Sequence, residues 1–383
     1  MDGARRPGAK ILVSGGGRCN VTNVSVSERD FWGGSRAFVR QVLRSLTVPN
    51  TIAFFDAIGV RLQEEANGKL FPESGRAREV LDALLSEADR CGVERRDAFR
   101  IQSIERTADA FELVAAGATL PARSVVLATG GQSLPKSGSD GVGYAFAQAF
   151  GHTIVPLVPA LVPLLLDSNA ALAHATVAGV SHPGEIAVRI DGRVAVRVKG
   201  SLLWTHFGIS GPAALDVSRH WTRASGEGRA TQLTLNFCPG LAFDAVDARL
   251  VESILERPRV SVHTVVSTLL PGAGAGALLH AVGVDLAAPA GTLTRGARRR
   301  LAHGLVEWTL PVVGTRGYNY AEVTAGGVTL SEVDPRTLES RMCRGLYLVG
   351  EILDVDGRLG GFNFQWAWSS AHVVARALSE AAG

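Results

Sequence analysis

Three glycine-flanked runs of polar residues carry the chemistry that this sequence can do. The first is Gly350-Glu351-Ile352-Leu353-Asp354-Val355-Asp356-Gly357, followed by Gly360-Gly361-Phe362-Asn363. It sets carboxylates beside the start of a helical pattern, where backbone N–H groups lack intrahelical partners and the macrodipole favours negative charge. The second is Ser14-Gly15-Gly16-Gly17-Arg18-Cys19-Asn20-Val21-Thr22-Asn23. Three successive glycines suit a backbone that passes close to something, and Arg18, Asn20 and Asn23 offer groups for phosphate or for the edge of a flat heterocycle. The third is Thr129-Gly130-Gly131, with more glycines from Gly138 to Gly143. Three glycine-rich turns suggest one extended ligand held by backbone from several loops. An ordinary last strand and helix with a flexible loop, and a plain surface loop at 14–20, are the competing readings.

The elements that must position these residues follow from hydrophobic pattern. Gly345 to Val349 and Ser124 to Leu127 read as buried strands, and the second ends in Thr-Gly-Gly, the kind of strand end where α/β sheets bind ligands. A helical pattern runs from Gly360 to about Leu378, another from Phe38 to Gly59 with a break near Pro49, and a third from Ala77 to Cys91. Lys69 to Ala77 reads as a loop, and Phe99–Ile104 with Phe111–Val114 as strands of a hairpin or meander. Pro156 to Pro163 reads as a crossing segment between domains. Beyond it, Ala187–Lys199 alternates around an Asp191-Gly192 hairpin turn, Leu202 to Pro212 is a strand ending in a tight glycine turn before a helix, and Gln232–Phe237 is a further strand. Phe243 to Trp308 is helical with short loops. Within it Gly272 to Ala277 matches GxGxxA formally, but it follows Pro271, has no surrounding βαβ unit and no acid about twenty residues on, so it reads as a linker between helices. Strand and glycine-turn character returns from Tyr318 to Val328.

Bulk properties narrow the function. At 383 residues the chain is long enough for two or three domains. A net charge of +3 is too small to argue for nucleic acid, and the run Arg295-Gly296-Ala297-Arg298-Arg299-Arg300 reads as a solvated helix face. Cys19, Cys91, Cys238 and Cys343 show no CxxC spacing, and no signal peptide opens the chain. A disulfide framework and a metal site are therefore not expected, and a reducing cytoplasm fits. The most apolar region, Ile154 to Leu166, is broken by Pro156, Pro159 and Pro163, so no membrane span is expected. The sequence leaves the oligomeric state open.

The motifs resemble one family. The string from Gly8 through Asn23, Lys69-Leu70-Phe71-Pro72, Ala128-Thr129-Gly130-Gly131, His206 to Pro212, Val323 to Val328, and Gly350-Glu351 through Trp366-Ala367-Trp368 resemble, in order, NAD(P)/FAD-dependent oxidoreductases of the aminoacetone-oxidase-like and bile-acid-reductase-like type. The resemblance implies an α/β fold: a Rossmann-like FAD-binding domain, incomplete at its N-terminus, with a β-rich second domain carrying a helical insertion. The expected boundaries are 1–155 with 318–383, 156–240 with 309–317, and 241–308. It implies non-covalent FAD, with NADH or NADPH as a candidate reductant and hydride passing between flavin N5 and a small organic substrate or NAD(P)H. Ser14, Gly15, Gly16, Gly17, Arg18, Cys19 and Asn20 would line the pyrophosphate and isoalloxazine. Ile101 would meet the adenine, and Thr129, Gly130 and Gly131 the adenosine half. Glu351 and Asp354, after Gly350, would reach ribityl or phosphate-side groups. Gly360, Gly361, Phe362 and Asn363 would present amides to the pyrimidine edge, where a helix N-terminus stabilises the negative charge of the reduced ring. His206, Tyr318 and Cys19 are weak candidates for proton transfer or substrate contact, each with a plain packing alternative.

The sequence departs from that family at its start. The family begins with a strand, a GxGxxG turn, a helix and a second strand ending in a ribose-binding acid; here Asp2 falls at the place of that acid. A wrongly placed start or a truncation of roughly 30 residues, the size of such a βαβ unit without its last strand end, is the expectation. A chain of this length would then bind FAD weakly and expose a sheet edge. A non-catalytic remnant acting as a binding module is the alternative reading.

Overall fold

The computed structural model describes residues 1–169 and 172–382. Its backbone divides into two compact units, Met1–Pro159 with Ala321–Gly383, and Ala160–Tyr320.

The first unit is built around the C-terminal helix Phe362–Ala382. Gly360 and Gly361 enter it at φ +126° and +93°, and a Cβ on Gly361 would collide with the Thr22 backbone. Only glycine satisfies both demands, so the double glycine fixes where the helix starts. The helix buries Phe362 and Trp366, and Phe31 meets the Phe362 ring edge-on at 6.3 Å. Val125–Leu127 and Leu346–Leu348 pair in parallel, Val125 opposite Leu346. Leu346–Leu348 has a second neighbour, since Ser340 N–H donates to Leu346 O at 2.7 Å and Leu348 N–H to Leu338 O at 3.1 Å. Val126, midway along the other strand, is 39% exposed, unusual for parallel strands, which are normally covered. An antiparallel meander of Ile101–Arg106, Phe111–Ala115 and Ala118–Ala122 completes the larger core with helix Arg36–Ser45. A smaller core holds Cys19, Val21, Phe55, Val60, Ala77 and Val80.

The second unit is a seven-stranded antiparallel sheet with helices. Its strand order is Trp308–Leu310, Thr231–Asn236, Ser181–Ile190, Arg193–Thr205, Gly208–Ser210, Leu164–Leu166, Val312–Thr315. Asp191 and Gly192 both take positive φ, +50° and +78°, as a two-residue turn matched to strand twist requires. Trp204, Ile186, Leu202, Ile209, Leu233 and Leu235 fill the core. Helices Phe243–Glu256, Gly272–Ala281 and Arg295–Val306 share it through Val246, Leu250, Leu278, Leu279, Leu301 and Leu305.

Several sequence expectations are corrected. Lys69–Pro72 is a strand, not loop, and sits centrally between Thr22–Asn23 and Leu62–Glu65. Pro72 ends the strand, where its missing N–H costs no ladder bond. Gly272–Ala277 is not a linker but the opening of helix Gly272–Ala281, because buried Ala275, Leu278 and Leu279 outweigh the poor propensity of its glycines. Leu202–Ser210 is not one strand; the chain reverses at His206-Phe207, with Thr205 pairing Gly208. Ile11-Leu12-Val13 belongs to the helical segment Ala9–Gly17, which kinks at Ser14, Gly15 and Gly16. Asp356 stands in a short strand, Val355–Gly357, paired with Phe31–Gly33, rather than in an open acidic loop. Among the described residues no helix is long and apolar enough to cross a membrane, and no group of three His, Cys, Asp or Glu is placed to hold a metal.

Candidate functional site

Within the first unit the N-terminal stretch meets other predicted site segments at three places in turn. At the first, Asp2 runs beside residues 96–99: its N–H donates to Arg96 O at 2.9 Å and its carbonyl accepts from Phe99 N–H at 2.8 Å. The Asp2 carboxylate accepts from Ala4 N–H at 2.8 Å. Ile101 opens the next strand, and Arg100 pairs with Asp140 at 2.6 Å.

The second place is centred on Glu351. One carboxylate oxygen accepts from Lys10 Nζ at 2.6 Å. The other accepts from Thr324 N–H at 2.8 Å and Ser133 Oγ at 3.0 Å. Lys10 also donates to Ser133 Oγ at 2.8 Å, and Thr324 Oγ1 accepts from the Gln132 and Ser133 N–H groups at 2.8 and 3.2 Å. Gly131 lies within this knot, where a Cβ would come 2.5 Å from Thr324 Oγ1 and 2.6 Å from Glu351 Oε1. The knot thus ties four distant segments together and leaves Gly130, at φ +70°, and Gly350, at φ +73°, in conformations natural to glycine. Gly350 is held by Ser370 Oγ, which accepts its N–H at 2.9 Å, and by Trp366 Nε1, which donates to its carbonyl at 3.0 Å.

The third place gathers Ser14–Asn23 against the head of the C-terminal helix. Asn23 Nδ2 donates to Gly360 O at 3.2 Å, and Trp368 Nε1 donates to Val21 O at 3.0 Å. The Asn363 side chain clamps the preceding loop, accepting from Gly357 N–H at 2.8 Å and donating to Gly357 O at 2.9 Å. Gln365, buried, accepts from Thr22 Oγ1 at 2.7 Å and donates to Leu46 O at 2.9 Å. The first intrahelical bond runs from Gln365 N–H to Gly361 O, so the N–H groups of Phe362, Asn363 and Phe364 precede any i→i−4 partner. Asp354 is buried behind this loop, its carbonyl accepting from Gly34 N–H at 2.9 Å.

Some expected groups are turned elsewhere. Arg18 donates to Glu65 at 2.7 Å and its guanidinium covers the Phe71 ring at 4.2 Å. Cys19 is fully buried at φ +62°, and burial pushes its thiol up to about 11. Ser14 Oγ donates to Ile11 O at 2.9 Å, while Gly15, Gly16 and Gly17 all take positive φ. His206 and Tyr318 lie in the second unit. His206 is exposed in its hairpin turn, edge-on to Phe207 at 5.1 Å. Tyr318 is half-buried, and burial raises its phenol above the usual range while Arg223 lowers it. Sequence reasoning missed Lys10, Ser133 and Thr324. Lys10 and Thr324 left a signal, since each lies within a motif string, Gly8 to Asn23 and Val323 to Val328; Ser133 left none.

Whether a dinucleotide fits is tested by polar atoms buried without partners. Thr129 Oγ1 and Asn20 Oδ1 are two of them, and each residue packs closely against a glycine. A Cβ on Gly143 would collide with Thr129 Oγ1, and one on Gly15 would sit 3.1 Å from Asn20 N. Buried polar atoms cost free energy unless hydrogen-bonded, so both ask for a partner. The residues therefore fit a ligand that brings a hydrogen-bond partner to each of these two atoms.

Known proteins resemble the chain over nearly its whole length. The chain is 34% identical over 373 residues, 97% of this chain and 90% of the relative, to the 3-dehydro-bile acid delta(4,6)-reductase of Clostridium scindens. It is 34% identical over 378 residues to the ribosomal RNA dihydrouridine synthase of Escherichia coli K12, covering 99% of this chain and 91% of that one. The enzyme of the same name from Haemophilus influenzae is 31% identical over 383 residues, 99% of this chain and 92% of that one. The model described as HI0933-like protein Rossmann domain matches residues 1–377, and the chain belongs to that family.

Proposed function

We propose that this protein is an FAD-dependent reductase that saturates a carbon–carbon double bond conjugated to a carbonyl. The observation that carries the reading is the gathering of Gly130-Gly131, Gly350-Glu351 and the stretch from Lys10 around one knot of hydrogen bonds, with buried Thr129 Oγ1 lacking a partner beside it. Asn20, Asn23 and the first N–H groups of the C-terminal helix would hold the flavin ring; Thr129, Gly130 and Gly131 would lie along the nucleotide half. A bound flavin supplies hydride at N5. The chain's part is orientation and charge: the helix head would stabilise negative charge on the ring, and Asn363 keeps the loop before it in place. Glu351 is engaged by three protein donors, so it fixes the backbone rather than moving a proton.

The names of the relatives support the bond type. A delta(4,6)-reductase of a 3-dehydro-bile acid and a dihydrouridine synthase both act on an alkene next to a carbonyl. They divide on substrate: a small anionic steroid or a base in ribosomal RNA. The net charge of +3 gives RNA little electrostatic support, so the small molecule is put first; the two dihydrouridine synthases favour RNA as the second.

The test is spectroscopic. Purified protein, supplied with FAD and freed of excess, is expected to keep bound flavin and to be bleached anaerobically by NADH or NADPH. Reoxidation by a 3-oxo-4,6-diene steroid supports the first substrate class, and reoxidation by ribosomal RNA with formation of dihydrouridine supports the second. Failure to retain flavin, or reoxidation by oxygen alone, would remove the proposal.

A further inference from the structure

A cavity of about 600 Å³ lies in the first unit beyond the residues assigned above, between the loop after Asn23 and the junction of helices Arg36–Ser45 and Val48–Ala57. Its volume falls in the range of small-molecule sites. Leu43, Leu46, Val48 and Pro49 give it apolar walls. Two arginines line it, and they differ. Arg40 donates to Glu28 at 2.8 Å, and both residues line the cavity, so that charge is balanced. Arg44 has no hydrogen bond, ion pair or ring contact among the described residues. Ser25, Ser27, Thr47 and Gln365 make the rest of the lining polar, so the cavity has one apolar wall, one polar wall and one uncompensated guanidinium. A cation in the last turn of a helix also favours the dipole, but any cation there would serve that role.

We propose that this cavity binds an organic anion with an apolar body, and that Arg44 receives its carboxylate or phosphate. A guanidinium presents paired donors that match either group, while the walls take the body from water. The cavity also touches the flavin-ring end assigned above. Gln365 lines it, and the same side chain accepts from Thr22 Oγ1, whose backbone packs on Gly361. A ligand against Gln365 thus presses on the head of the helix that carries Trp366 and Trp368. The proposal does not depend on a bound flavin, so its test stands or falls separately from the redox reading.

The probes are the fluorescent anion 8-anilinonaphthalene-1-sulfonate and its uncharged analogue N-phenyl-1-naphthylamine, titrated into the full chain. One saturable site is expected for each. Arg44→Gln should weaken the anion by about tenfold or more, the scale of one charge-assisted hydrogen bond, and leave the neutral probe within about twofold. Arg44→Lys, which keeps the charge and the helix-end role, should recover part of the loss. Val48→Phe, which narrows the cavity, should weaken both probes, with circular dichroism confirming that the variant is folded. Displacement of the anion by cholate identifies a carboxylate as the source, and displacement by adenosine monophosphate a phosphate. Displacement by neither, equal losses for both probes in Arg44→Gln, or unaltered binding in both variants would overturn the assignment.

Discussion

Lys10 Nζ stands 2.6 Å from Glu351 Oε2 across 341 residues of chain, with Ser133 Oγ within 3.0 Å of both side chains. The pair is part-buried, Lys10 at 29% and Glu351 at 19% side-chain exposure, so its charges are screened but not free in water. Its importance lies in what else Glu351 accepts, the Thr324 N–H and the Ser133 hydroxyl. Glu351→Ala strands those donors and should cost about 2 kcal/mol, whereas Lys10→Met should cost about 1 kcal/mol or less. Urea unfolding followed by tryptophan emission measures both. The double variant should lose less than the sum, because the pair interacts directly; strict additivity would mean that the ion pair contributes nothing.

Two glycines separate a steric requirement from a ligand requirement. Gly361 has positive φ and the Thr22 backbone against it, whereas Gly16 has φ +70° with nothing within 4 Å of a built Cβ. Gly361→Ala should therefore disrupt the helix start itself and lower the yield of folded protein. Gly16→Ala should cost only about 1 kcal/mol, the price of a left-handed conformation. If Gly16 leaves room for a ligand, flavin retention falls in Gly16→Ala by far more than stability does. Retention at the wild-type level in a folded Gly16→Ala protein would take Gly16 out of the site.

The cysteines should differ sharply toward alkylating reagents. Cys19 is fully buried with its thiol raised to about 11, while Cys91 is exposed at the end of helix Ala77–Arg90. Iodoacetamide at pH 8 followed by peptide mass mapping should label Cys91 first and Cys19 only in denaturant. Rapid labelling of Cys19 in folded protein would show that the Ser14–Asn20 segment opens. Because Cys19 sits at φ +62°, Cys19→Gly relieves backbone strain as it removes a buried side chain, so its net effect should be smaller than that of Val21→Gly, which only loses packing and order.

Much of this was legible in sequence because the signals were local. Asp191-Gly192 specifies its own turn, and Gly360-Gly361 marks the helix start because no other residue fits there. The strand Leu346–Leu348 shows its burial in its composition. What stayed hidden depends on partners far along the chain. Lys69–Pro72 is a strand only because Thr22–Asn23 and Leu62–Glu65 flank it. His206-Phe207 reverses the chain without a turn glycine between its two residues. Ser133 meets Thr324 and Glu351 through hydrogen bonds spanning 191 and 218 residues, and no local pattern marks it. Arg18 reads as a phosphate ligand by type, yet Glu65 and Phe71 hold it.

Acid should weaken the second unit through two histidines. His182 is buried, with Nδ1 2.7 Å from Pro183 O and Nε2 accepting from Trp204 Nε1 at 3.0 Å. This arrangement needs the neutral ring, and burial lowers its affinity for a proton. His220 is depressed further, to about 3, by burial first and by Arg219 second. In the unfolded chain both titrate near the ordinary histidine value of about 6.5. The unfolded state therefore binds more protons below that pH, and stability falls as pH falls. The contribution is complete above about pH 7 and is lost from about 6.5 downward, by up to about 1.4 kcal/mol per pH unit for each group that stays neutral. For His220 the loss continues toward pH 3, its folded value. Urea midpoints measured between pH 7.5 and 5 should decline, and His220→Asn should flatten the slope by about one proton. A slope unchanged in that variant would mean that His220 binds its proton equally well folded and unfolded.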